Sequence, residues 1–97
     1  MLDLNELLDN VNDESSFLAF ANALALNRVQ SRESEKVSPS SPYRAAANGW
    51  ENTSIEDFLE GAIAWGESTN LGVSQGLSPS NPWLRFATFL YCGKIYE

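Results

Sequence analysis

Apolar residues recur along this chain with a helical period, and Ser-, Pro- and Gly-rich segments interrupt them. Asp3, with Glu6 three residues on, makes a D-x-x-E start signal. Leu4, Leu7, Leu8 and Val11 then follow the i, i+3, i+4, i+7 rule of an amphipathic helix. So short a helix is marginal alone and has to dock on a neighbour. Asn12 or Asp13 can cap a second helix, in which Phe17, Leu18, Phe20, Ala21, Leu24 and Ala25 fall on one side. Continued, that stripe reaches Arg28 and Arg32. The helix either stops packing near Asn27 or runs past the body with its arginine stems along the core edge.

Residues 37–42 read as a loop. Ser41-Pro42 then looks like a cap followed by proline at the first helical position, with Asn48-Gly49 as a stop, which predicts a short helix over Tyr43–Ala47. Trp50 comes next, at an expected buried position. Thr53-Ser54-Ile55-Glu56 predicts a capping box with Thr53 as the cap. Glu56 and Asp57 sit in that first turn, where the helix dipole favours negative charge. Ile55, Phe58, Leu59, Ala62 and Trp65 share one face of this helix. A loop from about Ser68 to Ser80 leads to Asn81-Pro82, a second cap-plus-proline start. Trp83, Leu84, Phe86, Ala87, Phe89, Leu90 and Tyr91 then surround most of the last helix, leaving a narrow polar stripe of Arg85, Thr88 and Cys92. Gly93 is the expected stop. The segments Ser38–Tyr43 and Ser78–Trp83 echo each other, but the residues after each differ, so they read as two similar helix starts rather than a repeat. The expected fold is all-α: a compact single-domain bundle of four or five short helices over residues 1–97, with Trp83–Tyr91 at its centre.

Composition narrows the function classes. Ninety-seven residues leave room for one core, and 43% hydrophobic with 20% charged residues is an ordinary globular balance. Thirteen acidic against 6 basic residues and no histidine give a formal charge of −7. That balance argues against direct binding of nucleic acid, which needs clustered Lys and Arg, and against anionic membrane surfaces. A protein partner with a basic surface is the natural complement. One cysteine, the lack of a basic-then-apolar leader and the lack of a membrane-length apolar run predict a soluble cytoplasmic protein.

Catalytic machinery is not evident. Without histidine there is no Ser-His or Cys-His pair, and no G-x-S-x-G elbow or phosphate-binding glycine loop appears. Glu56 and Glu60 stand one turn apart but read as a solvated face, and no EF-hand spacing is present. Cys92 reads as a small packing residue, with only Lys94 nearby to stabilise a thiolate. No enzyme activity, cofactor or metal is expected.

Charge distribution is more informative. Residues 1–27 carry five acids and no base, residues 28–49 four bases and two acids, and residues 50–67 five acids and no base. Helical geometry sets Glu56, Glu60 and Glu67 within about 40° of one another, with Ile63 at the edge of the stripe. Asp57 lies further round and Glu51 just before. Such a face either keeps a small protein soluble or mimics a phosphate backbone and docks in a partner's cationic cleft. These five acids are the candidate partner-binding residues. Trp50, Trp65, Trp83, Tyr43 and Tyr96 are candidate anchors that fit core positions better.

The run Trp50-Glu51-Asn52-Thr53-Ser54-Ile55-Glu56-Asp57-Phe58-Leu59-Glu60-Gly61, then Trp65, Pro82-Trp83 and the closing Lys94-Ile95-Tyr96-Glu97, resembles a family of small uncharacterised bacterial domains. Those share a W-E-N-x-[ST]-[IL] helix start, a later Trp and a terminal Y-E. The resemblance spans roughly Phe17 to the end and implies a fold unit of bacterial origin, with no reaction to transfer. In size, acidity and lack of catalytic groups the chain is also similar to immunity proteins of contact-dependent growth inhibition and of nuclease bacteriocins. That likeness implies inhibition of a cognate toxin, most concretely a nuclease, by covering its basic active site. A small accessory or structural subunit of a larger assembly is the competing expectation.

Overall fold

The computed structural model describes residues 3–39 and 47–96. Four α-helices run through them: α1 (Leu4–Asp9), α2 (Glu14–Val37), α3 (Ile55–Thr69) and α4 (Pro82–Ile95), with short 3₁₀ turns at Ala47–Gly49 and Val73–Gln75. No strand occurs among the described residues. The fold is all-α. The predicted helix over Tyr43–Ala47 lies almost wholly outside the described residues; Ala47 itself opens a 3₁₀ turn, in which Asn48 takes φ 64°.

Each helix begins where a side chain takes up an orphaned amide. The Asp3 carboxylate accepts from Asn5 N at 3.2 Å, and Asp13 accepts from Ser16 N at 2.8 Å. Ser16 Oγ in turn accepts from Asp13 N at 3.1 Å, closing a capping box. Hydrogen bonds from Ser16 hold the Asp13 carboxyl below its ordinary pKa. Ser54, rather than Thr53, caps α3: its Oγ accepts from Asp57 N at 3.1 Å. Thr53 instead offers its carbonyl to Arg28. Asn81 caps α4, accepting from Leu84 N at 3.2 Å, and its amide donates to Val11 O at 3.1 Å. One asparagine thus starts α4 and anchors the end of the α1 segment.

At 24 residues α2 is not short, and it settles the alternative that the sequence leaves open. A helix of that length spans about 36 Å. Its first half packs, with Phe20 and Leu24 buried beside Val11, Trp50 and Ala87. Leu18, predicted on the same stripe, is 53% exposed. The second half runs on with Ser31 fully buried and Arg28 lying along the core edge, over the Trp50 ring at 5.5 Å.

The α3–α4 pair is the tightest seam. A side-chain carbon on Gly61 would stand 2.6 Å from Tyr96 O, and one on Gly93 would stand 2.9 Å from the Phe58 ring and its carbonyl. Gly93 therefore does not end α4; it lies inside the helix and lets α3 approach, and α4 runs two residues further. The last carbonyls of α4 find their donors outside the helix. Asn52 Nδ2 donates to Gly93 O at 2.9 Å and Tyr96 O at 2.7 Å. The amides of Glu51 and Asn52 both donate to Lys94 O, at 3.0 and 3.3 Å. Reciprocally, Arg85 of α4 donates to Leu71 O and Asn70 O at the C-terminus of α3. There Asn70 turns left-handed at φ 52°.

Candidate functional site

Helix α3 has two unlike faces. Gly61, Ala62, Trp65 and Thr69 are buried against α4 and the following turn, with Trp65 Nε1 donating to Gln75 Oε1 at 3.0 Å. Ile55 and Leu59, predicted on that inner face, are instead 79% and 45% exposed, and Ile63 is 45% exposed. The correction follows from the tight seam: Phe58 fills the space against Trp50 and Gly93, which turns the Ile55–Leu59–Ile63 row outward. At four-residue spacing these three make a continuous apolar strip along the helix.

Beside that strip run the predicted acids. Glu56, Glu60 and Glu67 are all exposed, and Glu60 and Glu67 line one shallow depression with Ile63, Ala64 and Ser68. Asp57 is exposed further round the helix, and Glu51 is exposed in the preceding turn. The structure therefore brings Glu56, Glu60 and Glu67 onto one face and leaves Asp57 and Glu51 at its margins.

A second feature is built around Trp50. The indole is 4% exposed, packs on Phe58 at 6.1 Å and donates through Nε1 to Asn27 Oδ1 at 2.8 Å. Two cations lie over it, Arg28 and Lys94, each 5.5 Å from the ring centroid. Arg28 donates to Ser31 Oγ at 3.2 Å and Thr53 O at 3.3 Å. Lys94 is 7% exposed and donates to the same Asn27 Oδ1 at 3.1 Å. Burial pulls the Lys94 pKa down, while the Asp3 charge pulls it up. Such a desolvated cation on an aromatic face is stabilised by the ring quadrupole. These two basic residues thus serve the core edge, whereas Lys36 pairs on the surface with Glu33 at 3.2 Å. Of the other predicted anchors, Trp65 is buried and Trp83 is partly buried against Phe17 and Phe86, while Tyr43 lies outside the described residues.

Lys94 also lines a cleft of about 430 Å³ among α1, α2, α4 and the Ala47–Gly49 turn, together with Asn27, Gln30 and Asn48. Nothing in the sequence pattern points to this cleft. Lys94 looks like an ordinary helix-end cation, and Asn27, which accepts from it, is distant along the chain.

Cys92 is buried, and burial pushes its thiol up to about 11. Among the described residues no group of three or more Cys, Asp or Glu converges as a metal site would, and no helix is long and apolar enough to cross a membrane.

The comparison with known families decides the lineage. A model described as a family of unknown function, DUF7660, matches residues 13–97. The chain belongs to the DUF7660 family. The match takes in α2, α3 and α4 and leaves α1 outside. Within this DUF7660 chain the W-E-N run has a structural job: Trp50 seals the core edge, and Asn52 satisfies the end of α4. No curated protein and no solved structure matches the chain.

Proposed function

We propose that this DUF7660 protein is a non-catalytic protein-binding inhibitor that docks the outer face of α3 on a partner. The observation that carries the reading is the pairing of an exposed apolar row, Ile55, Leu59 and Ile63, with the carboxylates of Glu56, Glu60 and Glu67 beside it. Apolar side chains at the centre of an interface supply affinity, and flanking charge supplies approach rate and orientation. The partner is a protein whose docking site is apolar at its centre and rimmed by Lys and Arg.

Most concretely, the partner is a cognate toxin, a nuclease whose basic active site the acids of α3 cover. The net charge of −7 supports this by favouring fast capture of a basic protein. The cell compartment that goes with the reading is the cytoplasm, where such a toxin acts. A small accessory subunit is the second reading, favoured by the apolar row itself, since contiguous exposed apolar residues mark permanent contacts as well as transient ones.

Tagged wild-type protein and the triple variant Glu56→Gln, Glu60→Gln, Glu67→Gln are compared in pull-downs at low and high salt. Toxin neutralisation requires one basic partner, released by salt, lost from the variant and inhibited in its nuclease activity by the wild type. Salt-resistant capture of a multiprotein assembly, equal for both chains, replaces it with the accessory-subunit reading.

A further inference from the structure

The cleft at Lys94 has a chemistry that the α3 face does not share. Its lining includes the apolar side chains of Leu4, Ala23 and Leu26 and the amides of Asn27, Gln30 and Asn48. Lys94, a residue 7% exposed overall, also lines it; its ammonium lies over the Trp50 ring and makes one hydrogen bond among the described residues, to Asn27 Oδ1. An ammonium has three donors, and a desolvated one left short of acceptors is costly. The same cleft is lined by the exposed carboxylate of Asp3, and no ion pair joins it to Lys94. Opposite charges therefore share one cavity without neutralising each other in contact.

From this arrangement we propose that the cleft binds a small zwitterion of the free amino-acid class, its carboxylate on Lys94, its ammonium toward Asp3 and its side chain against Leu4 and Leu26. Competing ligand classes fit less well. A phosphate or dicarboxylate brings more negative charge than the single lysine offsets, next to Asp3 and in a chain of charge −7. A simple amine offers no acceptor to the donors that Lys94 keeps beyond its bond to Asn27. The volume lies in the range of small-molecule sites, and a mixed apolar and polar lining is typical of them. This site is independent of the α3 face, since no residue of α3 lines it.

The test is titration of the full chain with L-leucine, N-acetyl-L-leucine and L-leucinamide, followed by amide chemical shifts and calorimetry. The acetyl derivative lacks the cation and the amide lacks the carboxylate. The expected result is saturable binding of L-leucine with shifts at Asn27, Gln30 and Lys94, and at least about tenfold weaker binding of both derivatives. Lys94→Met abolishes binding, and Asp3→Asn removes the preference for L-leucine over its acetyl derivative. Asp3 is exposed, so the second variant tests the site even where the first fails to fold. Absence of saturable binding by L-leucine overturns the proposal. So does equal binding of L-leucine and its two derivatives.

Discussion

The two faces of α3 are made from similar residues and have opposite fates. On the inner face, Ala62 and Trp65 are buried and Gly61 is in backbone contact with the end of α4. On the outer face, Ile55, Leu59 and Ile63 are as apolar but remain in solvent. The difference is not hydrophobicity but shape. Two helices approach this closely only where one presents no side chain, and Gly61 and Gly93 provide that on α3 and α4. The outer row is branched and bulky, which suits a surface that meets another molecule better than it suits the seam. The same residue class thus carries folding on one side and, in our reading, recognition on the other.

The largest expected effect breaks the inner face. Trp65→Ala removes a side chain that is 2% exposed and its hydrogen bond to Gln75, and should cost about 3–5 kcal/mol. For a domain stable by about 5–15 kcal/mol this approaches global unfolding. Chemical denaturation followed by tryptophan fluorescence and circular dichroism checks it. Retention of wild-type stability would show that the seam does not depend on this indole.

Next in size is the glycine contact. Gly93→Val places methyl groups where Phe58 already sits, and overpacking of this kind costs about 1–3 kcal/mol. Asn52→Ala leaves the Gly93 and Tyr96 carbonyls without their side-chain donor, a further loss of about 1–3 kcal/mol. Both residues touch the same turn, so the double variant should lose less than the sum. Additive losses would separate the Asn52 hydrogen bonds from the seam.

How far the sequence foretold this contrast depends on the residue. Caps and prolines are local devices, and they placed the starts of α1, α2 and α4 correctly, with α3 displaced by one residue from Thr53 to Ser54. The acids were legible because charge at helical spacing needs only one helix to be read. Periodicity failed where contact across helices decides the outcome. Ile55 and Leu59 lie near the inner face by angle, yet the closeness of α4 at Gly93 gives that space to Phe58. Gly93 resembled a stop because its neighbour on α3 is not visible in its own helix. The Asn27–Trp50–Lys94 arrangement was illegible for the same reason: it joins three segments far apart in sequence.

A smaller effect concerns the buried Cys92 thiol of α4. Burial raises the Cys92 pKa from 9.0 to about 11, so between those values the folded chain keeps a proton that the unfolded chain releases. By linkage, this group's contribution makes stability fall as pH rises through that window. Wild type should therefore lose Tm more steeply from pH 9 to about 11 than Cys92→Ala, whereas below that window the two curves should run parallel. Parallel curves throughout would place Cys92 in a wetter setting than its packing indicates.

The smallest expected effect on stability belongs to the outer face. Glu56 and Glu60 stand one turn apart with like charge, a pairing that weakly destabilises a helix, and Glu67 lies beyond them on the same side. Replacing all three by Gln should leave the denaturation midpoint within about 0.5 kcal/mol of wild type, as for most exposed positions, or raise it slightly. The apolar row behaves alike: Ile55→Ser is nearly neutral, because the side chain is 79% exposed in the free protein. Against a basic partner the two substitutions should part. Loss of the acids slows association and flattens its salt dependence, while loss of Ile55 or Leu59 speeds dissociation, since apolar contacts act after the surfaces meet. Stopped-flow binding at two salt concentrations separates them. If the acids altered only dissociation, α3 would not steer its partner, and the contrast between its faces would reduce to packing alone.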